Sequence, residues 1–158
     1  MYNEIIRNSL FLECLHKISE LEKERKFCKH DMEHSLDVAR LAYIMSLEDG
    51  KNIRKDIIYA AGLLHDIGRH EEYLNNTPHE VASADIAESI LAETGFEKKD
   101  IIEIKKAILE HRNKDISKQS SLSGYLCRAD KFSRRCFACD AQDECKWPDD
   151  KKNMDIKL

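Results

Sequence analysis

The sequence predicts an all-α protein, a compact bundle of about six helices. Three observations carry that expectation. Apolar residues recur every three or four positions along almost the whole chain. The β-branched alternation that marks strands is absent. Periodic segments close on stop signals at Asp49-Gly50, Gly68 and Gly95.

The first predicted helix covers about 3–27, with Ile6, Leu10, Cys14, Ile18 and Leu21 on one stripe and the charged run 22–26 as a solvated face. A second covers about 31–49, and a third about 54–67, with Gly68 as its left-handed terminator. The fourth opens on a capping box, Thr77 as N-cap, Pro78 in the first turn and Glu80 three residues after the cap, and closes at Gly95. A fifth runs about 100–112 with Asp100 and Glu103 as its cap pair, and a sixth about 120–135. Residues 1–136 form a single domain; 137–158 form a cysteine-containing tail whose polar stretch 148–153 is expected to fray.

At 158 residues and 42% hydrophobic content the chain suits one ordinary core. Its net charge is −4, with the two signs interspersed, so neither a basic face for nucleic acid nor a polybasic membrane patch is expected. Charged residues precede any apolar block, and no window approaches the roughly 18 apolar residues of a spanning helix. A soluble, cytoplasmic protein is the expectation. Six cysteines in that setting read as thiols or metal ligands rather than a disulfide framework.

His65 and Asp66 end the apolar stretch 57–64, where an unpaired carboxylate costs several kcal/mol of desolvation. A divalent cation offsets that cost, because imidazole beside carboxylate is a mixed N/O ligand pair. Matching partners stand in register with apolar stripes: His34 before Val38 and Leu41, His79 before Ala82 and Ile86, His111 after Ile104 and Ile108, and Asp130 four residues after Leu126. Asp66, with two oxygens, is the natural bridge between two ions. His34, His65 and Asp130 then serve the first ion, and His79 and His111 the second. Such a pair polarises phosphoryl oxygens and activates water near neutral pH. His16, His30 and His70 are read as ordinary histidines, with His70 able to support a ligand.

These residues sit in strings, His34-Ser35-Leu36-Asp37-Val38-Ala39, Gly62-Leu63-Leu64-His65-Asp66-Ile67-Gly68 and Ala129-Asp130-Lys131, that resemble the HD-domain superfamily of metal-dependent phosphohydrolases over about 30–136. With His79 and His111 the chain looks most like the branch with a dinuclear, usually iron-containing centre, which includes bacterial diadenosine tetraphosphate hydrolases. The resemblance implies the HD-domain fold, a catalytic His65-Asp66 pair, and one or two divalent ions. Iron comes first among them, with manganese, nickel, cobalt or zinc as other candidates. It also implies a small phosphorylated substrate, a nucleotide or related phosphoester or phosphoanhydride, attacked by metal-activated water. Arg69 stands where many relatives have lysine; with Arg112, Lys131 and Arg134 it is a candidate for substrate phosphate. A ligand sensor without turnover and a di-iron oxygenase are the alternative readings.

Cys136, Cys139 and Cys145 form a second cluster that invites zinc or an iron-sulfur centre, or is a loop of free thiols. Cys127, nine residues before Cys136, is about half a turn out of phase on an unbroken helix.

Overall fold

A computed structural model describes residues 1–158, and it is all-helical. After a single turn, α1 (Tyr2–Ile5), come α2 (Ser9–Leu21), α3 (Met32–Glu48), α4 (Lys55–Leu64), α5 (Arg69–Asn75), α6 (His79–Glu93), α7 (Lys98–Glu110) and α8 (Leu122–Phe132). A short 3₁₀ turn at Ile116–Lys118 lies between α7 and α8, and three more follow α8 at Cys136–Ala138, Gln142–Glu144 and Asp149–Lys151. No helix is long and apolar enough to cross a membrane.

Helix α4 is the centre of the bundle. Seven of its residues, Ile57, Ile58, Ala60, Ala61, Gly62, Leu63 and Leu64, are buried, which is the signature of a helix enclosed on all sides rather than resting on a surface. It packs against α1, α3, α6, α7 and α8. Gly62 allows a close approach to α3, since a Cβ there would lie 2.6 Å from Ala39. A central helix that stops inside the bundle delivers whatever follows it to the interior, and His65 and Asp66 follow it.

Several expected boundaries shift, each for a local reason. The first predicted helix is broken by Asn8, whose side chain accepts from the backbone N–H groups of Leu10 and Phe11 and starts α2 afresh. The break slips the buried face: Ile5 and Phe11 are enclosed, while Ile6 and Leu21 lie exposed. Gly68 is no left-handed terminator, since its φ is −89°. It is the entry to α5, a helix absent from the sequence reading, and its lack of a side chain allows close approach: a Cβ would sit 2.4 Å from the backbone nitrogen of Ser83. Gly50 and Gly95 do take positive φ, as helix ends require.

Thr77 does not cap α6, which begins after Pro78 with no side-chain cap. Asp100 lies within the first turn of α7, buried and accepting from Arg54 at 2.9 Å. Helix α8 starts after Ser121, whose side chain caps Gly124 N–H, and ends at Phe132. The tail is anchored rather than frayed. Asn153 is buried and donates to the carbonyls of Lys131 (2.6 Å) and Arg134 (3.0 Å), and its own carbonyl accepts from Phe137 N–H.

Candidate metal centre and its cleft

The turn between α4 and α5 carries His65 and Asp66, the start of α3 His34, the start of α6 His79, the end of α7 His111, and α8 Asp130. All six groups meet in the middle of the bundle. Donor atoms of His34, His65, Asp66 and Asp130 form one set and those of Asp66, His79 and His111 another, with all atoms of a set within 4.8 Å of one another. Asp66 belongs to both. Its Oδ2 lies 3.2 Å from His65 Nε2 and 3.5 Å from His34 Nε2, and its Oδ1 lies 3.2 Å from His79 Nε2. Asp130 Oδ1 stands 3.5 and 3.8 Å from the same nitrogens of His34 and His65.

The outer ring nitrogens explain why the inner ones point together. Nδ1 of His65 donates to the Gly62 carbonyl (2.8 Å), Nδ1 of His111 to the Ile108 carbonyl (2.6 Å) and Nδ1 of His79 to Glu72 (3.0 Å). A carbonyl or carboxylate can only accept, so each Nδ1 carries a proton and each Nε2 is the nitrogen turned inward, able to present a lone pair in the neutral ring. His79 and His111 thus aim two lone pairs at each other across 3.3 Å. Buried Nε2 of His34, Nε2 of His65 and Oδ2 of Asp66 have no hydrogen-bond partner. Such orphans cost about 1–3 kcal/mol each, and a cation removes the cost. Ligands about 2.0–2.1 Å from a shared ion lie roughly 3–3.5 Å from one another, close to the spacings seen here. The donor set fits a divalent metal at both positions.

The charges agree. Burial disfavours an ionised Asp66, yet His65, His34 and Arg69 beside it hold its carboxyl well below the usual range. Asp130 is likewise held low by His34 and His65 against its burial. Burial lowers the His65 imidazole, but Asp66 and Asp130 outweigh it and push the pKa up to about 10. The pocket recruits positive charge wherever it can. His111 goes the other way, depressed to about 4 by burial and by the charge of His65, and burial lowers His79 as well.

His34 and Asp130 form the floor of an open cleft of about 690 Å³, to whose walls Arg69 and Arg134 also contribute. Arg69 donates from Nε to Asp66 Oδ1 (3.2 Å) and from Nη1 to Glu72 (2.9 Å). Arg134 stacks on the ring of Trp147 at 4.1 Å. Arg112 and Lys131 lie outside this cleft. Arg112 pairs with Glu80 at 3.2 Å, and Lys131 points to the buried Cys127 thiol.

Two groups escaped the sequence reading. His30 is no ordinary surface histidine: it lines the cleft, its Nδ1 is 2.5 Å from Glu22 Oε1, and its Nε2 is 3.9 Å from Asp66 Oδ2. Burial works against a charged Glu22, but hydrogen bonds from His30 and Tyr73 outweigh it and bring the carboxyl to about 2. The short spacing of His30 before His34, one helical turn, is the only sequence signal that pointed to it. Glu72 is the other, and its helix gave no periodic signal. His70 is buried beside the Ile67 carbonyl, and His16 is exposed.

Comparison with known proteins places this architecture. The HD domain family model matches residues 31–135, and the chain belongs to that family. It is 42% identical to an uncharacterized protein of Clostridium beijerinckii over 98% of this chain and 97% of that one. It is also 33% identical to ribonuclease Y of Oleidesulfovibrio alaskensis over 77% of this chain, a match that spans only 21% of the ribonuclease. The crystal structure of a predicted HD superfamily hydrolase from an uncultured Thermotogales bacterium superposes with a TM-score of 0.63 at 25% identity, covering 90% of this chain and 80% of that one.

Proposed function

We propose that this protein is a metal-dependent phosphohydrolase with a dinuclear centre, acting on a nucleotide or a related small phosphoester or phosphoanhydride. The observation that carries the reading is the trio of buried polar atoms without hydrogen-bond partners, Nε2 of His34, Nε2 of His65 and Oδ2 of Asp66, behind a basic-walled cleft that His34 lines. His34, His65, Asp66 and Asp130 would hold one ion and Asp66, His79 and His111 the other, with iron the first candidate. Ions so placed supply Lewis-acid polarisation of phosphoryl oxygens and a lowered pKa for water. The remaining work falls to the chain itself.

Asp66, which belongs to both groups, would contribute to both positions, and the outward hydrogen bonds of His65, His79 and His111 keep their Nε2 atoms turned inward. Arg69, held by Asp66 and Glu72, presents its guanidinium at the cleft as a phosphate contact. Arg134 supplies a second positive group higher on the wall. Trp147, 44% exposed at the cleft, offers an aromatic surface to a nucleobase. His30, its Nδ1 proton held by Glu22, turns Nε2 toward Asp66 and is placed to take a proton from water at that atom. A cleft of about 690 Å³ suits a small ligand.

The test is a screen of metal-loaded protein and its Asp66→Ala variant against mono-, di- and dinucleoside polyphosphates. Phosphate release by the parent and its loss with Asp66 are expected. Parental turnover by the variant, or ligand-induced stabilisation of the parent with no product, refutes the reading.

A further inference from the structure

The two donor sets differ in what they already hold. His34, His65, Asp66 and Asp130 bring two imidazoles and two carboxylates, whereas Asp66, His79 and His111 bring two imidazoles and one carboxylate. The three buried atoms without a hydrogen-bond partner, Nε2 of His34, Nε2 of His65 and Oδ2 of Asp66, all stand on the side of the first set. The demand for a cation is greatest there.

On the other side a positive charge is already seated. Oδ1 of Asp66, the oxygen 3.2 Å from His79 Nε2, accepts from Nε of Arg69 at 3.2 Å. Nη1 of Arg69 donates to Glu72 Oε2 at 2.9 Å, and the same oxygen accepts from His79 Nδ1 at 3.0 Å. Both ion pairs of Arg69 are thus to the carboxylates on which the second set leans. A guanidinium keeps its charge at every ordinary pH and has no lone pair to offer an ion. A cation shared by Asp66, His79 and His111 therefore meets a fixed positive charge on its only carboxylate. Repulsion between charges a few ångströms apart is strong where little water screens it, and the Arg69 side chain is only 22% exposed.

We infer that the two positions fill in order and that Arg69 sets the gap between them: the set with Asp130 binds its ion first and tightly, while the Arg69 guanidinium holds down the affinity of the set with His79 and His111. This rests on the two-ion reading above, and on nothing about which ester is cleaved. Arg69 stands in for the second ion when metal is scarce. The centre is then mononuclear at low metal and dinuclear only at high metal, so a reaction that needs both ions is graded by metal supply.

The experiment is titration of manganese into chelated protein, followed by calorimetry and electron paramagnetic resonance. The parent is expected to bind in two steps, with a mononuclear spectrum through the first equivalent and a spin-coupled signal only beyond it. His111→Ala keeps the tight step and loses the weak one. Arg69→Gln, which removes the charge and keeps an amide donor, is expected to tighten the weak step by about tenfold or more and to move the tight step less. Arg69→Lys, which keeps a cation there, should lie between them. Because a variant can misfold, only protein that retains its tight step is compared, and Arg69→Met repeats the test. A spin-coupled signal within the first equivalent of the parent, loss of the tight step in His111→Ala, or a weak step that is unchanged, weaker or absent in Arg69→Gln overturns the inference. Ordered filling without phosphate release from any nucleotide would sink the proposed hydrolysis alone; phosphate release with both ions taken up together would sink this inference alone.

Discussion

The Glu72 carboxylate accepts a hydrogen bond from Nδ1 of His79 at 3.0 Å and so fixes which ring nitrogen faces Asp66 and His111. Removing such a partner typically weakens metal binding by about 10–100-fold. Glu72→Ala is expected to lower affinity for one of two ions by that order and to leave the other nearly unchanged. Calorimetric titration of metal into chelated protein separates the two events; equal weakening of both contradicts the role.

His30→Ala is expected to reduce turnover by about 10²–10⁴-fold, the usual range for a positioned proton acceptor, with metal content intact. Glu22→Gln should fall between parent and His30→Ala. Metal analysis beside steady-state kinetics checks this, and a His30→Ala enzyme with parental kcat excludes the role.

The pH dependence follows from His65. Its folded pKa, about 10, stands above the ordinary 6.5 because Asp66 and Asp130 outweigh burial. In metal-free protein the stabilisation from this proton is complete below 6.5 and is lost as pH rises through about 10. A bound cation replaces the proton, so metal affinity should climb over the same interval. Thermal melts of chelated and metal-loaded protein are expected to diverge with rising pH. A metal-induced gain in Tm that is constant from near neutral to alkaline pH would count against it.

Two glycines separate two kinds of constraint. Gly68→Ala pushes a methyl to 2.4 Å from Ser83 backbone nitrogen, beside the hydrogen bond from Gly68 N–H to Ser83 Oγ. Overpacking of this kind costs about 1–3 kcal/mol, and because the turn also carries Asp66, metal affinity should drop with it. Gly95→Ala meets no atom within 4 Å but keeps φ at +82°, a strain of about 1–2 kcal/mol with no effect on metal. Urea denaturation and metal titration of both variants distinguish them.

What the sequence made legible was what local rules encode. His65 and Asp66 stood out because an apolar run makes an unpaired carboxylate expensive, and His34, His79, His111 and Asp130 because each keeps step with an apolar stripe. The structure gathers all six. Asn8 was missed because a polar side chain that caps the next helix looks, in a periodic run, like one more exposed position. Gly68 was misjudged because close approach to Ser83 depends on a helix packed from elsewhere. Glu22 and Glu72 gain their meaning from partners brought in by the fold, His30 and Tyr73 for the first and His79 and Arg69 for the second, and no spacing along the chain announces such pairings.

The anchoring of Asn153 beneath Lys131 and Arg134 has a consequence for how this molecule can vary. The histidine-aspartate cluster belongs to residues 31–135, the span of the HD domain match, whereas much of the cleft wall beside it comes from chain on either side of that span. Cluster and wall thus come from different stretches of chain: exchanging the flanking segments would alter which molecules gain admission, and with His30 and Glu22 the proton acceptor, while leaving the six-group cluster in place.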